Sequence, residues 1–121
     1  MARPVSEAEI CQREEERIRS FIAELRAAIE LETSADQIDR ERWGNFSADW
    51  NTRVRAWWYG IRERCHVRSR RHRAVHTAAA QLFPAWQAVH YALTRGRALD
   101  MAKLDAVEEM VKEAGQTERS G

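Results

Sequence analysis

The sequence predicts an all-α protein, a single-domain bundle of four to six helices. Apolar residues recur at spacings of three and four along most of the chain, which is the period of an amphipathic helix. Only five glycines and two prolines occur in the 121 residues, and no segment alternates apolar and polar residues as a strand does. With 32% charged residues and a mean hydropathy of −0.67, the predicted core is thin. Such a core suits a small bundle or a subunit that buries surface against partners.

The first predicted helix begins at a capping box, in which Glu9 follows Ser6 by three residues. Apolar positions within residues 18–29 repeat at three and four, so one buried stripe is expected there. A short second helix is predicted around Trp43. Gly44 is expected to end it, because glycine is favoured just beyond a helix C-terminus.

Ser47 is the predicted N-cap of a third helix over residues 48–65. Its inward stripe is expected to contain Trp50, Val54, Trp57, Ile61 and Cys65. A second stripe, about a quarter to a third of a turn away, contains Arg55, Tyr59, Arg62 and His66. This helix is therefore predicted to combine a tryptophan-rich core face with a basic, aromatic-bearing exposed face.

The fourth predicted helix runs from Ala74 to a stop at Gly96. Pro84 lies inside it, and the missing N–H of proline predicts a kink or a break near that position. A last helix is expected to start near Asp100 and to end at Gly115.

The predicted domain spans residues 1–115, followed by a disordered tail over residues 116–121. The two cysteines, Cys11 and Cys65, are expected to be reduced thiols of a cytoplasmic protein. No stretch approaches the ~18 apolar residues of a membrane span, and the N-terminus has no apolar signal-peptide region. No membrane partner is expected.

Charge is distributed unevenly along the chain. Residues 48–76 carry eight arginines against two acids, whereas the net charge is −4 over residues 1–47 and −1 over residues 77–121. Guanidinium groups bind phosphate bidentately and stack on bases. A concentration of like charge is costly without a compensating partner, which predicts a polyanion. The alternative is a solvated helix face in an arginine-rich composition.

Basic side chains beside aromatic rings suit a groove that follows a nucleic-acid backbone. The candidate nucleic-acid-binding residues are Arg53, Arg55, Tyr59, Arg62, Arg64, His66, Arg68, Arg70, Arg71 and Arg73. Residues 67–73 form either a loop or the start of a helix, and their charge repulsion argues against order without a ligand. Binding independent of base sequence is expected, with RNA favoured over DNA. A helix-turn-helix with its turn at residues 43–47 is a further interpretation, although the tryptophans that follow leave few small polar side chains to contact base edges.

In its size, its all-α character and its basic face, the chain resembles the small helical subunits of CRISPR effector ribonucleoproteins. This resemblance implies a subunit without enzymatic activity that holds RNA or a guide-target hybrid by phosphate contacts. The implied partners are nucleic acid and the protein subunits of a complex, including several copies of the chain itself. An alternative of another class is a phage- or plasmid-borne interaction or inhibitor module.

The segment RHRAVH places Arg71 five residues before His76, and it resembles the signature of the HEPN superfamily of all-helical ribonucleases. The resemblance implies cleavage of RNA without metal, usually across a dimer, in which the histidine transfers a proton and the arginine stabilises the phosphate. This metal-independent ribonuclease is the enzymatic alternative to the binding subunit.

His72 and His76, which are four residues apart, form a candidate zinc site with Cys65 upstream. Its spacing matches no zinc-finger pattern, its surroundings are basic, and no carboxylate is close in the sequence. No metal and no cofactor are therefore expected, and the acids at residues 14–16 are interpreted as a solvated helix face.

Overall fold

The computed structural model describes residues 5–64, 67 and 69–117. Four helices account for most of them: α1 (Glu7–Thr33), α2 (Arg40–Arg64), α3 (Arg70–Arg95) and α4 (Ala102–Thr117). No strand occurs in these described ranges. The prediction of an all-α bundle is confirmed, with the smallest of the expected numbers of helices. No described helix combines the length and the apolar character that a membrane crossing requires.

Consecutive helices run antiparallel. Glu24 in the second half of α1 pairs with Arg53 of α2, and Trp58 near the end of α2 meets His76 near the start of α3. Helix α1 packs against each of the other three, whereas α2 and α4 make no close backbone contact within the described ranges. Helices α2 and α4 therefore flank an α1–α3 pair, and the N-terminal halves of α1 and α3 lie side by side.

Aromatic contacts join α1 to α2 within a core to which all four helices contribute. The Phe21 ring meets Trp50 and Trp57 edge to face, with centroids 6.1 and 5.6 Å apart. Trp50 Nε1 donates a hydrogen bond of 3.0 Å to the Phe21 carbonyl. Trp50, Val54 and Ile61 are buried, and Trp57 packs against the core while half-buried. The predicted inward stripe of this helix is confirmed, except for Cys65, which lies outside the described residues.

The predicted second and third helices are one helix, α2. Gly44 and Ser47 both lie inside it, so Gly44 does not end a helix and Ser47 is not an N-cap. The Ser47 hydroxyl instead accepts a hydrogen bond of 2.6 Å from Trp86 Nε1 on α3. Helix α2 begins instead after Asp39, whose Oδ1 accepts from the Arg42 backbone N–H at 3.0 Å. The turn of the helix-turn-helix interpretation is therefore absent, and that interpretation was wrong.

Helix α3 starts earlier than predicted and continues through Pro84. Ser69 is its N-cap, so residues 70–73 are helical. Of the predicted kink or break near Pro84, the break is ruled out because the helix is continuous there. Leu82 and Ala85 on either side are both buried in the core, and this packing holds the helix together where the backbone hydrogen bond of proline is missing.

Of the other two glycines that were predicted to end a helix, only Gly96 does so. Gly96 ends α3 in the left-handed conformation, with φ of 65°, as predicted, and Arg97 N–H donates to the Ala92 carbonyl at 3.0 Å. Gly115 does not end α4, which continues to Thr117. A Cβ at Gly115 would lie 3.3 Å from Glu15 Oε1, so glycine permits α4 to approach α1 closely here. Of the predicted tail, residues 116 and 117 are thus helical, and the rest lies outside the described residues.

Candidate functional site

A basic face lies on the exposed sides of α2 and α3, and we define it by Arg55, Tyr59, Arg62, Arg70 and Arg73. All five side chains are exposed. The three on α2 follow the helical spacing of four and three, which places them on one side of that helix. None of the four arginines pairs with a carboxylate of the described residues. No carboxylate of the described residues therefore neutralises these four charges.

A groove of about 440 Å³ runs between α2 and α3 beside the basic face. Trp58 and Arg73 line it, together with the largely buried His76. The Arg62 guanidinium lies 5.7 Å from the centroid of the Trp58 ring, within cation–π range. The groove thus has the Trp58 ring on one side, with Arg62 of α2 and Arg73 of α3 close to it.

Arg53 and Arg71, two of the residues predicted to bind nucleic acid, do not belong to the basic face. Arg53 contacts Asp49 at 2.8 Å and Glu24 at 3.0 Å. Arg71 holds Glu15 through two hydrogen bonds of 2.8 and 3.1 Å, and its side chain is only 14% exposed. Carboxylates of the chain itself already balance both guanidinium groups. Three other predicted positions are not described: His66, Arg68 and the side chain of Arg64.

A buried polar cluster lies where the N-terminal halves of α1 and α3 meet. We call it the Glu14 cluster, and it contains Glu14, Glu15, Arg71, His72 and His76. Glu14, Glu15 and His72 are only 5%, 3% and 1% exposed. The sequence analysis interprets the acids at residues 14–16 as a solvated helix face. For Glu14 and Glu15 this interpretation is wrong, because α3 covers both side chains.

Glu14 lies against both histidines of α3. His72 Nε2 is 3.2 Å from each Glu14 carboxylate oxygen, and His76 Nε2 is 2.8 Å from Glu14 Oε1. The two rings meet edge to face, with centroids 4.5 Å apart. One carboxylate and two imidazoles thus converge on a single buried point.

Two ring nitrogens of this cluster are buried without a hydrogen-bond partner in the described part of the chain: His72 Nδ1 and His76 Nε2. His76 Nε2 is close to Glu14, but the two groups are not aligned for a hydrogen bond. The nearest carboxylate oxygen to His72 Nδ1 is Glu7 Oε1, at 3.7 Å. Because buried polar atoms are nearly always hydrogen-bonded, these two exceptions call for an explanation.

Helix capping sets the position of His72. Ser69 Oγ accepts from the His72 backbone N–H at 2.9 Å, and Glu7 accepts from the Ser69 backbone N–H at 2.9 Å. Glu7 follows the α1 N-cap, where Ser6 Oγ accepts from the Glu9 N–H at 3.1 Å as predicted. The starts of α1 and α3 are thus tied together, which brings Glu14 opposite the first turns of α3.

Burial shifts the pKa of two groups here. It lowers the pKa of His76, while the neighbouring Glu14 carboxylate opposes the shift. It raises the pKa of the fully buried Cys11 thiol to about 11, with Arg71 opposing. Neutral imidazole is the form that binds metal ions, and a protonated thiol is a poor nucleophile. The raised pKa therefore disfavours Cys11 as a nucleophile.

The two groups of the HEPN-like motif are both directed at α1. Arg71 is occupied by Glu15, and His76 lies against Glu14. The Cys65 of the zinc interpretation lies outside the described residues, but its two histidines do come together. The carboxylate that these two histidines meet is that of Glu14, which lies 58 residues before His72 in the sequence. One sequence signal could have indicated it: Glu14 follows Cys11 and precedes Ile18 at helical spacing on the buried stripe of α1.

Comparisons with family models, with curated proteins and with solved structures find no match for this chain. The resemblances to CRISPR small subunits and to HEPN ribonucleases therefore stay predictions.

Proposed function

We propose that the protein binds the backbone of nucleic acid, RNA in preference to DNA, through its basic face and without reading base sequence. The observation that carries this proposal is the division among the arginines. Arg53 and Arg71 are balanced by internal carboxylates, whereas the arginines of the basic face have no such partner in the described residues and lie beside a groove with an aromatic wall.

The chemistry of each part fits this role. Guanidinium groups form charge-assisted hydrogen bonds to phosphate oxygens. Tyr59 lies between Arg55 and Arg62 on the exposed side of α2 and is 56% exposed, so its ring can stack on an unpaired base. Because every base has a stacking surface and every nucleotide a phosphate, neither contact selects a sequence.

The wider role we propose is that of a subunit without enzymatic activity in a ribonucleoprotein assembly, such as a small subunit of a CRISPR effector. Protein subunits and further copies of the chain are the proposed protein partners. Metal-independent cleavage by Arg71 and His76 is not part of the proposal, because both side chains are engaged by carboxylates of α1.

The test measures binding of a fluorescent single-stranded RNA, and of a DNA of the same sequence, by anisotropy over a range of salt concentrations. The variant is Arg55→Ala/Arg62→Ala. A charge-assisted hydrogen bond contributes about 1.5–3 kcal/mol, so losing two costs about 3 kcal/mol or more and should weaken RNA binding by ~100-fold or more. The salt slope should fall by about two ions.

The matched control is Arg95→Ala/Arg97→Ala, which removes the same charge beside another exposed tyrosine. Arg95 and Arg97 lie 4.0 and 5.5 Å from the centroid of Tyr91, at the other end of α3. The control should bind RNA nearly as well as the unmodified chain. Equal losses in both variants would show a response to net charge alone, and no RNA binding by the unmodified chain would favour the interaction-module alternative. Either result would overturn the proposal.

A further inference from the structure

We propose that Glu14, His72 and His76 bind a divalent transition-metal ion, with Zn²⁺ as the best match. This site shares His76 with the groove beside the basic face, but it does not depend on the proposed function. It differs from the zinc site considered from the sequence, because the carboxylate of Glu14 provides the third ligand.

The ligand atoms already have nearly the spacing that a metal ion requires. One atom each from Glu14, His72 and His76 lie within 4.8 Å of one another. In a tetrahedral site with bonds of about 2.0–2.1 Å, neighbouring ligand atoms are about 3.3 Å apart. The observed separations from Glu14 are 3.2 Å to His72 Nε2 and 2.8 Å to His76 Nε2. Small side-chain rotations would therefore complete the site.

Burial without full hydrogen bonding is the second observation. His76 Nε2 faces the Glu14 carboxylate yet has no aligned hydrogen bond among the described residues. A buried carboxylate and an unpartnered ring nitrogen are both costly in an apolar surrounding. A cation between them would satisfy the lone pair of His76 and the charge of Glu14 together.

The surroundings of His72 resemble those of a metal-bound histidine. Binding through Nε2 would leave its Nδ1 directed at Glu7 Oε1, 3.7 Å away. Metal-bound histidines commonly present the second ring nitrogen to a carboxylate, which orients the ring. A modest approach of Glu7 would make this hydrogen bond and give the second unpartnered nitrogen of the cluster an acceptor.

The donor set selects the class of metal. Two imidazoles and one carboxylate suit zinc and its neighbours in the first transition row, whereas Mg²⁺ and Ca²⁺ prefer oxygen ligands throughout. Three protein ligands leave a coordination position for water, as in open zinc sites. His76 also lines the groove between α2 and α3, which gives a small ligand a route to that position.

The experiment titrates the full chain, first dialysed against a chelator, with Zn²⁺ by calorimetry and with Co²⁺ by visible absorption. We expect one ion per chain, a Co²⁺ ligand-field spectrum typical of low coordination number, and displacement of Co²⁺ by Zn²⁺. Zn²⁺ should also raise the thermal unfolding midpoint, because it binds the folded chain. No binding of either ion, or a Co²⁺ spectrum of the fully hydrated ion, would overturn the proposal.

Two variants locate the site. Glu14→Gln and His76→Gln each remove one ligand while keeping the side-chain size, and each should weaken Zn²⁺ binding by more than about 100-fold, beyond the usual loss for an outer-shell partner. The control is His90→Asn, which removes a histidine of α3 that lies outside the cluster, and its Zn²⁺ affinity should be unchanged. Unchanged affinity in both ligand variants would place the ion elsewhere and sink the proposal.

X-ray absorption of the zinc-loaded unmodified chain gives a result even if the variants do not fold. The proposed site requires two imidazoles and at least one oxygen in the first coordination shell. An all-oxygen shell, or one containing sulfur, would contradict the assignment to Glu14, His72 and His76.

Discussion

Helix α3 carries histidines in two places, and their surroundings differ. Near its start, His72 and His76 lie in the Glu14 cluster among carboxylates and a guanidinium. Near its end, His90 stacks between two indole rings, 5.0 Å from Trp86 and 6.2 Å from Trp43 between centroids. We call this second group, with Ser47, the Trp43 cluster.

Apart from His90, the Trp43 cluster contains no titratable side chain, and its indole, hydroxyl and imidazole groups are joined by hydrogen bonds. Trp43 Nε1 donates to His90 Nδ1 at 3.1 Å, and Trp86 Nε1 donates to Ser47 Oγ at 2.6 Å. Ser47 Oγ also lies 3.1 Å from His90 Nδ1. Among the described residues, no side-chain nitrogen or oxygen of this cluster is both buried and unpartnered.

Comparison of the two clusters shows that the neighbouring helix determines which groups surround a histidine of α3. Helix α2 presents indole and hydroxyl groups to His90, which neutral imidazole can satisfy. Helix α1 presents a carboxylate to His72 and His76, and it leaves two ring nitrogens without partners. The first arrangement holds the fold together, and the second is the site that we propose for a divalent metal ion.

The largest expected effect comes from breaking the ion pair of the Glu14 cluster. Arg71→Ala would leave the Glu15 carboxylate, 3% exposed, without its bidentate partner. Removing one partner of a buried pair costs about 3–5 kcal/mol, and urea unfolding should show a loss of that order. Arg73→Ala, on the exposed side of the same helix, is the control and should stay within about 0.5 kcal/mol. A similarly small change for Arg71→Ala would contradict the structural role assigned to this arginine.

A smaller effect is expected from breaking the Trp43 cluster. Ser47→Ala removes the acceptor of the Trp86 indole N–H. An unsatisfied buried donor costs about 1–3 kcal/mol, and the unfolding free energy should fall by that amount. Thr52→Ala serves as the control, since its exposed hydroxyl bonds only to the Ala48 carbonyl of its own helix. If Thr52→Ala were the more harmful change, the hydroxyl at Ser47 would have no special role.

The smallest expected effect is on the pH dependence of stability. Burial lowers the pKa of His90 below its ordinary 6.5, and its contacts Trp43, Ser47 and Trp86 carry no titrating group in this range. Below that pH the unfolded chain therefore binds more protons at this position than the folded chain, so the unfolding free energy falls as the pH decreases and is unaffected above it.

The variant that isolates this contribution is His90→Asn, which keeps an acceptor near the position of Nδ1 and does not titrate. Its unfolding free energy, measured between pH 7 and pH 5, should fall less steeply than that of the unmodified chain. The other histidines contribute to both proteins alike. Equal slopes would mean that His90 titrates normally in the folded chain.

The periodic features of the helices were predictable from the sequence. The stripe of α1, the inward stripe containing Trp50 and Val54, and the stop at Gly96 follow from helical spacing and from the left-handed conformation that glycine adopts easily. The exposure of Arg55, Tyr59 and Arg62 followed from the same geometry, because a helix with one buried stripe leaves its other side to solvent. These are relations between residues three or four apart, and they need no knowledge of a partner helix.

Contacts between helices could not be predicted in this way. Serine is favoured at helix N-caps, yet the Ser47 hydroxyl accepts a hydrogen bond from Trp86 Nε1. Gly44 lies inside the helix that it was expected to end. Arg71 belongs to the same arginine-rich segment as Arg70 and Arg73, but only Arg71 lies opposite a buried acid.

The sequence by itself determined that this protein is helical, which residues form its stripes and where its positive charge is concentrated. Only the tertiary structure decided that Glu14 meets His72 and His76, and that Arg71 is used internally. The physical reason is range. Helical periodicity depends on hydrogen bonds between residues four apart, whereas the Glu14 cluster joins residues 58 apart and exists only because α1 and α3 pack side by side.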